Sequence, residues 1–250
     1  VSLTGMVCLI TGGSGGLGAA IGDLFAREGA IIHLADLSDA PGRAVAERIG
    51  AGFHRLDVTD ESAWMRAMDA IDAEHGRLDV LVNCAGASGI IGDGGLLDTS
   101  RWHTLFAINA TGPFFGMKHA WPLLRRSSAP SVVNVTSISA AVAVTPAHPA
   151  YGASKAALSS LSRIMAVEMA QDGIRVNSVA PGILPVMSGL ADDAAERATA
   201  HRESVVRTTV PLERVGDHLE VAAAVRFLAS PDSSYVTGTE LRVDGGFTAR

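Results

Sequence analysis

Val7-Cys8-Leu9-Ile10-Thr11-Gly12-Gly13-Ser14-Gly15-Gly16-Leu17-Gly18 is the stretch whose reading decides the fold. Four consecutive apolar residues without polar alternation describe a strand covered on both faces, the environment of a central strand in a parallel sheet. A glycine-rich turn and the amphipathic stretch Gly16–Glu28 follow directly. In a strand, loop and helix of this kind, glycines let the backbone come close to a ligand. The helix N-terminus offers it unpaired N–H groups, an arrangement suited to a pyrophosphate. The spacing Gly12-x3-Gly16-x-Gly18 departs from the GxGxxG dinucleotide fingerprint, so the weight rests on its position behind a buried strand.

Outward from this unit, Ile31–Asp36, Phe53–Leu56, Asp79–Asn83, Ser131–Thr136, Ile174–Val179 and Glu240–Val243 read as further strands. Helical stretches fall between them at Gly16–Glu28, Pro41–Ile49, Glu61–His75, Arg101–Arg125, Tyr151–Asp172 and Leu219–Ala229. Gly29, Gly50, Gly76 and Gly173 act as stops. Right-handed crossovers then predict an α/β protein: a single-domain Rossmann-type, doubly wound sheet of about seven parallel strands with helices on both faces. No repeat or linker divides residues 1–250. Ser188–Val210 is Ala-rich and charge-dotted, and a short helical substrate lid is expected within about 184–210.

Composition narrows the function classes. With 48% apolar and 18% charged residues, burial must be extensive and is expected to continue into subunit contacts. A net charge of -6 with no dense Lys/Arg cluster argues against a nucleic-acid partner. No apolar run is long enough to span a membrane, and Val1–Leu9 lacks a secretory signal pattern, so a cytoplasmic location is expected. The two cysteines, Cys8 and Cys84, lie in apolar, strand-like stretches and read as buried thiols. The eight histidines show no HExxH spacing and the chain no CxxC, so no metal site is expected.

The second strand ends in Asp36, where a carboxylate would accept from both hydroxyls of an adenosine ribose and repel a 2′-phosphate. No Arg or Lys in the glycine loop or beside Asp36 and Leu37 offsets that charge, which points to NAD(H) rather than NADP(H). The alternative for Asp36 is a turn or helix cap. Asp57-Val58, after the third strand, is placed to meet an adenine edge, and a capping role for Asp57 competes with that reading. Asn83-Cys84-Ala85-Gly86 closes the fourth strand with small residues that allow close approach to a ribose, or that merely pack.

Tyr151 and Lys155 stand four apart on a helical stretch and so share a face. Serving as a base near neutrality requires a tyrosine to titrate roughly 3 units below its usual value, about 4 kcal/mol of phenolate stabilisation. A neighbouring ammonium is suited to supply it. Taken alone, such a pair is also a common surface arrangement.

The whole set of motifs, in order, resembles the short-chain dehydrogenase/reductase family over essentially the full length. It comprises Thr11-Gly12-x3-Gly16-x-Gly18, Asp57-Val58, Asn83-x-Ala85-Gly86, Asn109, Ser137, Tyr151-x3-Lys155, Asn177, Pro181-Gly182, Val236-Thr237-Gly238 and Val243-Asp244-Gly245-Gly246. The resemblance implies that Tyr151 is the acid/base and that Ser137 hydrogen-bonds the substrate oxygen. Lys155 would bind the nicotinamide ribose and lower the Tyr151 pKa, and Asn109 would hold a water linking Lys155 to solvent. Cofactor contacts would then come from Gly12, Ser14, Gly16, Leu17, Gly18, Asp36, Leu37, Asp57, Val58, Asn83, Ala85, Gly86, Tyr151, Lys155, Pro181, Gly182 and Ile183. The implied reaction is NAD(H)-dependent interconversion of a secondary alcohol and its ketone.

Three positions depart from the family pattern. Cys84 stands where a second Asn is usual. Ser137 lies fourteen residues before Tyr151, one more than expected, which makes Ser139 the runner-up and implies a longer loop through Thr145-Pro-Ala-His-Pro149. Val186, after Pro185, stands where a carboxamide-binding Thr is common, so Ile183 backbone groups would carry more of the anchoring.

The pocket wall is expected from Ser88–Ile91, Ala140–His148 and Leu184–Leu190. These stretches are mainly apolar with no Arg or Lys poised for an anion, which suits a neutral, fairly hydrophobic substrate. His148 is expected at the solvent-facing loop surface, with substrate contact as the alternative. A 3-oxoacyl-carrier-protein reductase shares these motifs but resembles NADPH users with a basic residue near the glycine loop. A non-catalytic regulator would be expected to have lost Tyr151 or Lys155. The resemblance also implies a homotetramer, with Arg101–Arg125 and Tyr151–Asp172 across one two-fold axis and a Leu158, Leu161, Ile164, Met165 stripe facing a partner or the subunit's own core.

Overall fold

Seven strands form one sheet in the order β3-β2-β1-β4-β5-β6-β7, every neighbouring pair parallel. The structure is a computed structural model and describes residues 3–185 and 202–249. The strands are β1 (Val7–Thr11), β2 (Ile31–Asp36), β3 (Gly52–Arg55), β4 (Val80–Asn83), β5 (Ser131–Val135), β6 (Arg175–Pro181) and β7 (Glu240–Val243). The helices are α1 (Gly16–Arg27), α2 (Asp39–Ile49), α3 (Glu61–His75), α4 (Thr99–Phe106), α5 (Gly112–Leu124), α6 (Pro149–Glu168), α7 (202–209) and α8 (His218–Ala229). This is the Rossmann-type α/β architecture, its strand order reversing between β1 and β4. Ligands of such sheets bind beyond the carboxyl ends of the strands at that switch point.

The continuous apolar runs are buried as strand interiors: every residue of β1, β4 and β5 is buried. Side-chain alternation divides the core in two. Leu9, Leu81 and Val132 face α3, α5 and α6, while Ile10, Val82 and Val133 face α1, α2 and α8. Helix ends follow their capping residues. Asp60, Asp98 and Asp217 each accept a backbone N–H at the start of α3, α4 and α8, and Gly50, Gly76 and Gly173 close helical segments in the left-handed conformation.

The stretch expected as one helix over Arg101–Arg125 is three segments, α4, a π turn at Ala107–Thr111, and α5. Pro113 is the reason a regular helix cannot run through. It has no N–H for the carbonyl of Asn109 four residues earlier, and a wider turn absorbs the mismatch. The strand expected to end at Val179 continues to Pro181, because Gly182 N–H still reaches Val243 O at 2.9 Å. The Leu158 stripe divides. Leu158 is core, Leu161 and Met165 pack against it, and Ile164 is exposed.

Candidate active site

Around the glycine loop, absence of side chains is a requirement. A Cβ on Gly18 would collide with the carbonyl oxygen of Gly12, and one on Gly12, at φ 73°, would lie 2.9 Å from Ala85 Cα. Nothing among the described residues lies within 4 Å of the position a Gly16 side chain would take, so they leave this face of the loop open. No side chain caps α1 and its first turn carries no acid, which leaves its N–H groups available to an anion. Thr11 was quoted for the motif but given no role of its own. Its hydroxyl oxygen accepts from Cys84 N–H at 3.1 Å and Ala85 N–H at 3.0 Å, fixing the end of β4 against the loop.

Asp36 uses both carboxylate oxygens, accepting from Ser14 N–H at 3.0 Å and Ser38 N–H at 2.9 Å. It ties the glycine loop to the turn after β2 and keeps two further lone-pair sites. Leu37 beside it is exposed. Asp57 accepts from the backbone and hydroxyl of Thr59 at 2.9 and 2.7 Å, a turn-capping role, and Val58 is buried in the core.

Asn83 turns its amide into the sheet, where Nδ2 donates to Asn134 Oδ1 at 2.8 Å. Asn134 in turn donates to Ser162 Oγ at 2.8 Å. Gly182 packs on Asp244 next to Pro181, and Ile183 O accepts from Gly216 N–H. Val186 and the rest of the 186–201 part of the expected lid lie outside the described residues; the lid's remaining span contains α7.

The second cluster lies across the carboxyl ends of β4 and β5. Ser137 follows β5 and is buried, with its hydroxyl near enough to the Tyr151 phenol to favour the ionised form. Its oxygen also accepts from Ser139 N–H at 3.2 Å. Burial pushes the Tyr151 phenol above its ordinary value, with the Ser137 hydroxyl offsetting part of that. This direction is opposite to the one expected from a neighbouring lysine. Lys155 Nζ donates to Val135 O at 2.8 Å, and burial lowers its own pKa from 10.5 to about 8. The ammonium therefore sits one helical turn from the phenol in a low-dielectric site where its charge is costly.

Asn109, in the π turn, accepts from Ala87 N–H at 2.9 Å and donates to Ala87 O and Ser154 Oγ, each at 3.1 Å. Its side chain is thus an anchor between the segment after β4 and α6. Gly86 packs beside it, with a Cβ position 3.4 Å from Lys155 Nζ. Gly86 thus lies between the Asn109 amide and the Lys155 ammonium, with Tyr151 one helical turn before Lys155, while the Asn83 and Val58 side chains face the interior.

His148 is not a surface residue. It is buried and caps α6, with Nδ1 accepting from Ala150 N–H at 3.2 Å and Nε2–H donating to Asp98 O at 3.1 Å. Pro149 at the first helical position was the legible signal for that cap. A cavity of about 200 Å³ opens beside Tyr151, lined by Ser139, Val142, Ala143, Val144, Ala147 and also by His148. Among the described residues, Arg101 donates to the carbonyl of Ser88 and Arg202 to that of Leu184.

A family profile described as enoyl-(acyl carrier protein) reductase matches residues 12–248. Cyclopentanol dehydrogenase of Comamonas sp. (strain NCIMB 9872) is 41% identical over 251 residues, covering 97% of each chain. The 2,5-dichloro-2,5-cyclohexadiene-1,4-diol dehydrogenase of Sphingobium indicum is 36% identical over 255 residues, covering 98% of this chain and 97% of that one. Among solved structures, a short-chain type dehydrogenase/reductase from Mycobacterium ulcerans superposes with a TM-score of 0.91 at 30% identity, covering 100% of this chain and 92% of that one. The chain belongs to the short-chain dehydrogenase/reductase family and is an oxidoreductase of CH–OH groups. The family's cofactor is a nicotinamide dinucleotide, and the residues present fit its pyrophosphate: the glycine cradle is open and the α1 N-terminus has no side-chain cap among the described residues. No helix among the described residues is long and apolar enough to cross a membrane.

Proposed function

We propose that this protein is an NAD(H)-dependent dehydrogenase of neutral, fairly hydrophobic cyclic secondary alcohols, with Tyr151 as general acid/base. The observation that carries this is the Tyr151 phenol, with Ser137 close by, beside a cavity whose described lining is mainly apolar and holds no Arg or Lys. Two relatives named for ring alcohols support the cyclic substrate.

The bound nicotinamide supplies hydride acceptance and return. Gly12, Gly16 and Gly18, with the backbone of Ser14 and Leu17, hold the pyrophosphate. Asp36 and Leu37 take the adenosine ribose, Asp57 and Val58 the adenine edge, and Ala85, Gly86, Pro181, Gly182 and Ile183 the nicotinamide half. Asn83 supports that half through its backbone only. Ser137 orients the substrate hydroxyl, Tyr151 takes its proton in oxidation and returns it in reduction, and Lys155 binds the nicotinamide ribose and counters the upward push of burial on the phenol. Asn109 acts through position, holding the Ala87 segment to α6, and the carbonyl that Pro113 leaves without its usual donor is its water ligand.

NAD(H) is favoured over NADP(H) because Asp36 repels a 2′-phosphate. One domain carries the whole apparatus, with α7 as the described part of the lid. A homotetramer is supported by the exposed Trp102, Phe114, Ile164 and Val167 on α4, α5 and α6. The free Cys8 and Cys84 suit a cytoplasmic location.

Reduced-nicotinamide absorbance with cyclopentanol and related ring alcohols, in NAD and NADP, tests the reading. Activity with NAD that disappears in Tyr151→Phe supports it. No turnover of any ring alcohol by protein that binds NADH overturns the substrate class.

A further inference from the structure

On the outer edge of the sheet, away from the Tyr151 cluster, three histidines and a glutamate that are distant in sequence come together. His33 projects from β2 on the same face as Ala35, towards α3. Its Nδ1 lies 3.0 Å from His54 Nε2 on β3, and its Nε2 lies 2.8 Å from His75 Nε2 at the last turn of α3. Glu74 Oε1 stands 3.4 Å from the same His75 nitrogen. Gly52 makes room for the ring, since a Cβ there would lie 2.8 Å from His33 Nδ1. None of these groups has a part in the proposed chemistry.

We propose that His33 Nε2, His75 Nε2 and the Glu74 carboxylate form a binding site for one divalent transition metal ion, Zn2+ in the first place, with His54 behind it as the partner of His33 Nδ1–H. The three ligand atoms already lie within 4.8 Å of one another. A tetrahedral ion with bonds of 2.0–2.1 Å holds its ligands about 3.4 Å apart. The glutamate stands at that separation from His75 and within 4.8 Å of the His33 nitrogen, so a small swing of its exposed side chain closes the set, and the two imidazoles need only part by roughly half an ångström.

Proton placement agrees. If His33 donates from Nδ1 to His54, its Nε2 carries a lone pair, and the proton between the two Nε2 atoms belongs to His75. Moving that proton to His75 Nδ1 frees both nitrogens for the metal without charging either ring.

Two imidazoles and a carboxylate are a donor set used by zinc with a fourth position left for water. His33 is buried and Glu74 exposed, which gives the ion a path from solvent. The donated hydrogen bond to His54 is the outer-shell support that imidazole ligands normally have.

The test uses the full-length protein without an affinity tag, stripped with a chelator and titrated with ZnCl2 by calorimetry and with CoCl2 by visible absorbance. The expected result is one ion per chain, a tetrahedral Co2+ band, and a Tm rise of roughly 5–10 °C when free Zn2+ is a hundredfold above its Kd. His75→Gln should remove the site, Glu74→Gln at the exposed ligand should weaken it in a chain whose core is untouched, and His54→Gln should weaken it roughly 10–100-fold. His103→Gln, elsewhere on the surface, should change nothing. Stoichiometric binding undisturbed by His75→Gln or Glu74→Gln would overturn the proposal. So would the absence of stoichiometric binding in the unaltered protein, which would leave the histidines as a proton-sharing chain only.

Discussion

Lys155, to which the proposal gives the ribose-binding role, is buried where its charge is costly, and Lys155→Met measures that cost. Burial lowers the ammonium from 10.5 to about 8, which at about 1.4 kcal/mol per unit makes its charged form cost about 3 kcal/mol at pH 7. Methionine matches the length of the apolar stem and carries no charge, but it strands Val135 O, for which roughly 2 kcal/mol is a fair penalty. The variant should therefore be about 1 kcal/mol more stable than the parent at pH 7, in the absence of cofactor.

The sign of the pH dependence follows from proton counts. Between about 8 and 10.5 the folded chain holds fewer protons at this site than the unfolded chain, so the parent gains stability as pH rises. By pH 10 the gain is about 2.5 kcal/mol, and the order of the two proteins reverses. Urea midpoints at pH 7, 8.5 and 10 give the difference directly, with other titrating groups cancelling between parent and variant. A difference that stays flat within 0.5 kcal/mol across that range would refute the argument that burial charges Lys155 against the fold.

The chain has two tyrosines, and Tyr235 is fully exposed, so ultraviolet difference titration of the cofactor-free protein should show one phenol ionising above the ordinary range. That phase should vanish in Tyr151→Phe, and a titration at or below pH 9 would contradict the burial argument. Tyr151→Phe should also lower kcat by about 10²–10⁴-fold with NADH affinity retained, measured by turnover and by fluorescence titration. Asp36→Ala combined with Leu37→Arg should move kcat/KM towards NADP, and an unchanged ratio would mean that Asp36 does not meet the ribose. Gly18→Ala, which pushes a methyl group into Gly12 O, should lower the urea midpoint by an amount worth roughly 1–3 kcal/mol and abolish NADH binding.

What could be read from residues in order was what neighbouring residues determine. The Val7–Ile10 run declared a doubly covered strand because no polar residue interrupts it, and the glycines behind it gained their weight as a cradle from that position. Tyr151 and Lys155 share a helical face by spacing alone. Other features depend on contacts between segments. Asn83 looked like a cofactor neighbour, but its amide is claimed by Asn134, fifty-one residues away, on the adjacent strand. His148 looked exposed between two loop prolines until Asp98 O, fifty residues earlier, was found to hold its ring. The His33, His54 and His75 cluster shows no sequence pattern at all, since only strand pairing and the return of α3 bring it together.

The π turn at Ala107–Thr111 has a consequence for what lengths this segment can have. The segment before it packs on α6 and the one after it on α3, so a single run of backbone serves two differently oriented surfaces. Each residue of a helix turns its neighbours by about 100°. Removing one residue from the wide turn would swing Met117, Ala120 and Leu124 away from their sockets while α4 stayed in place, or the reverse. Substitutions along this stretch can drift, but its residue count cannot, and a one-residue deletion there should be far more damaging than the loss of any single side chain within it.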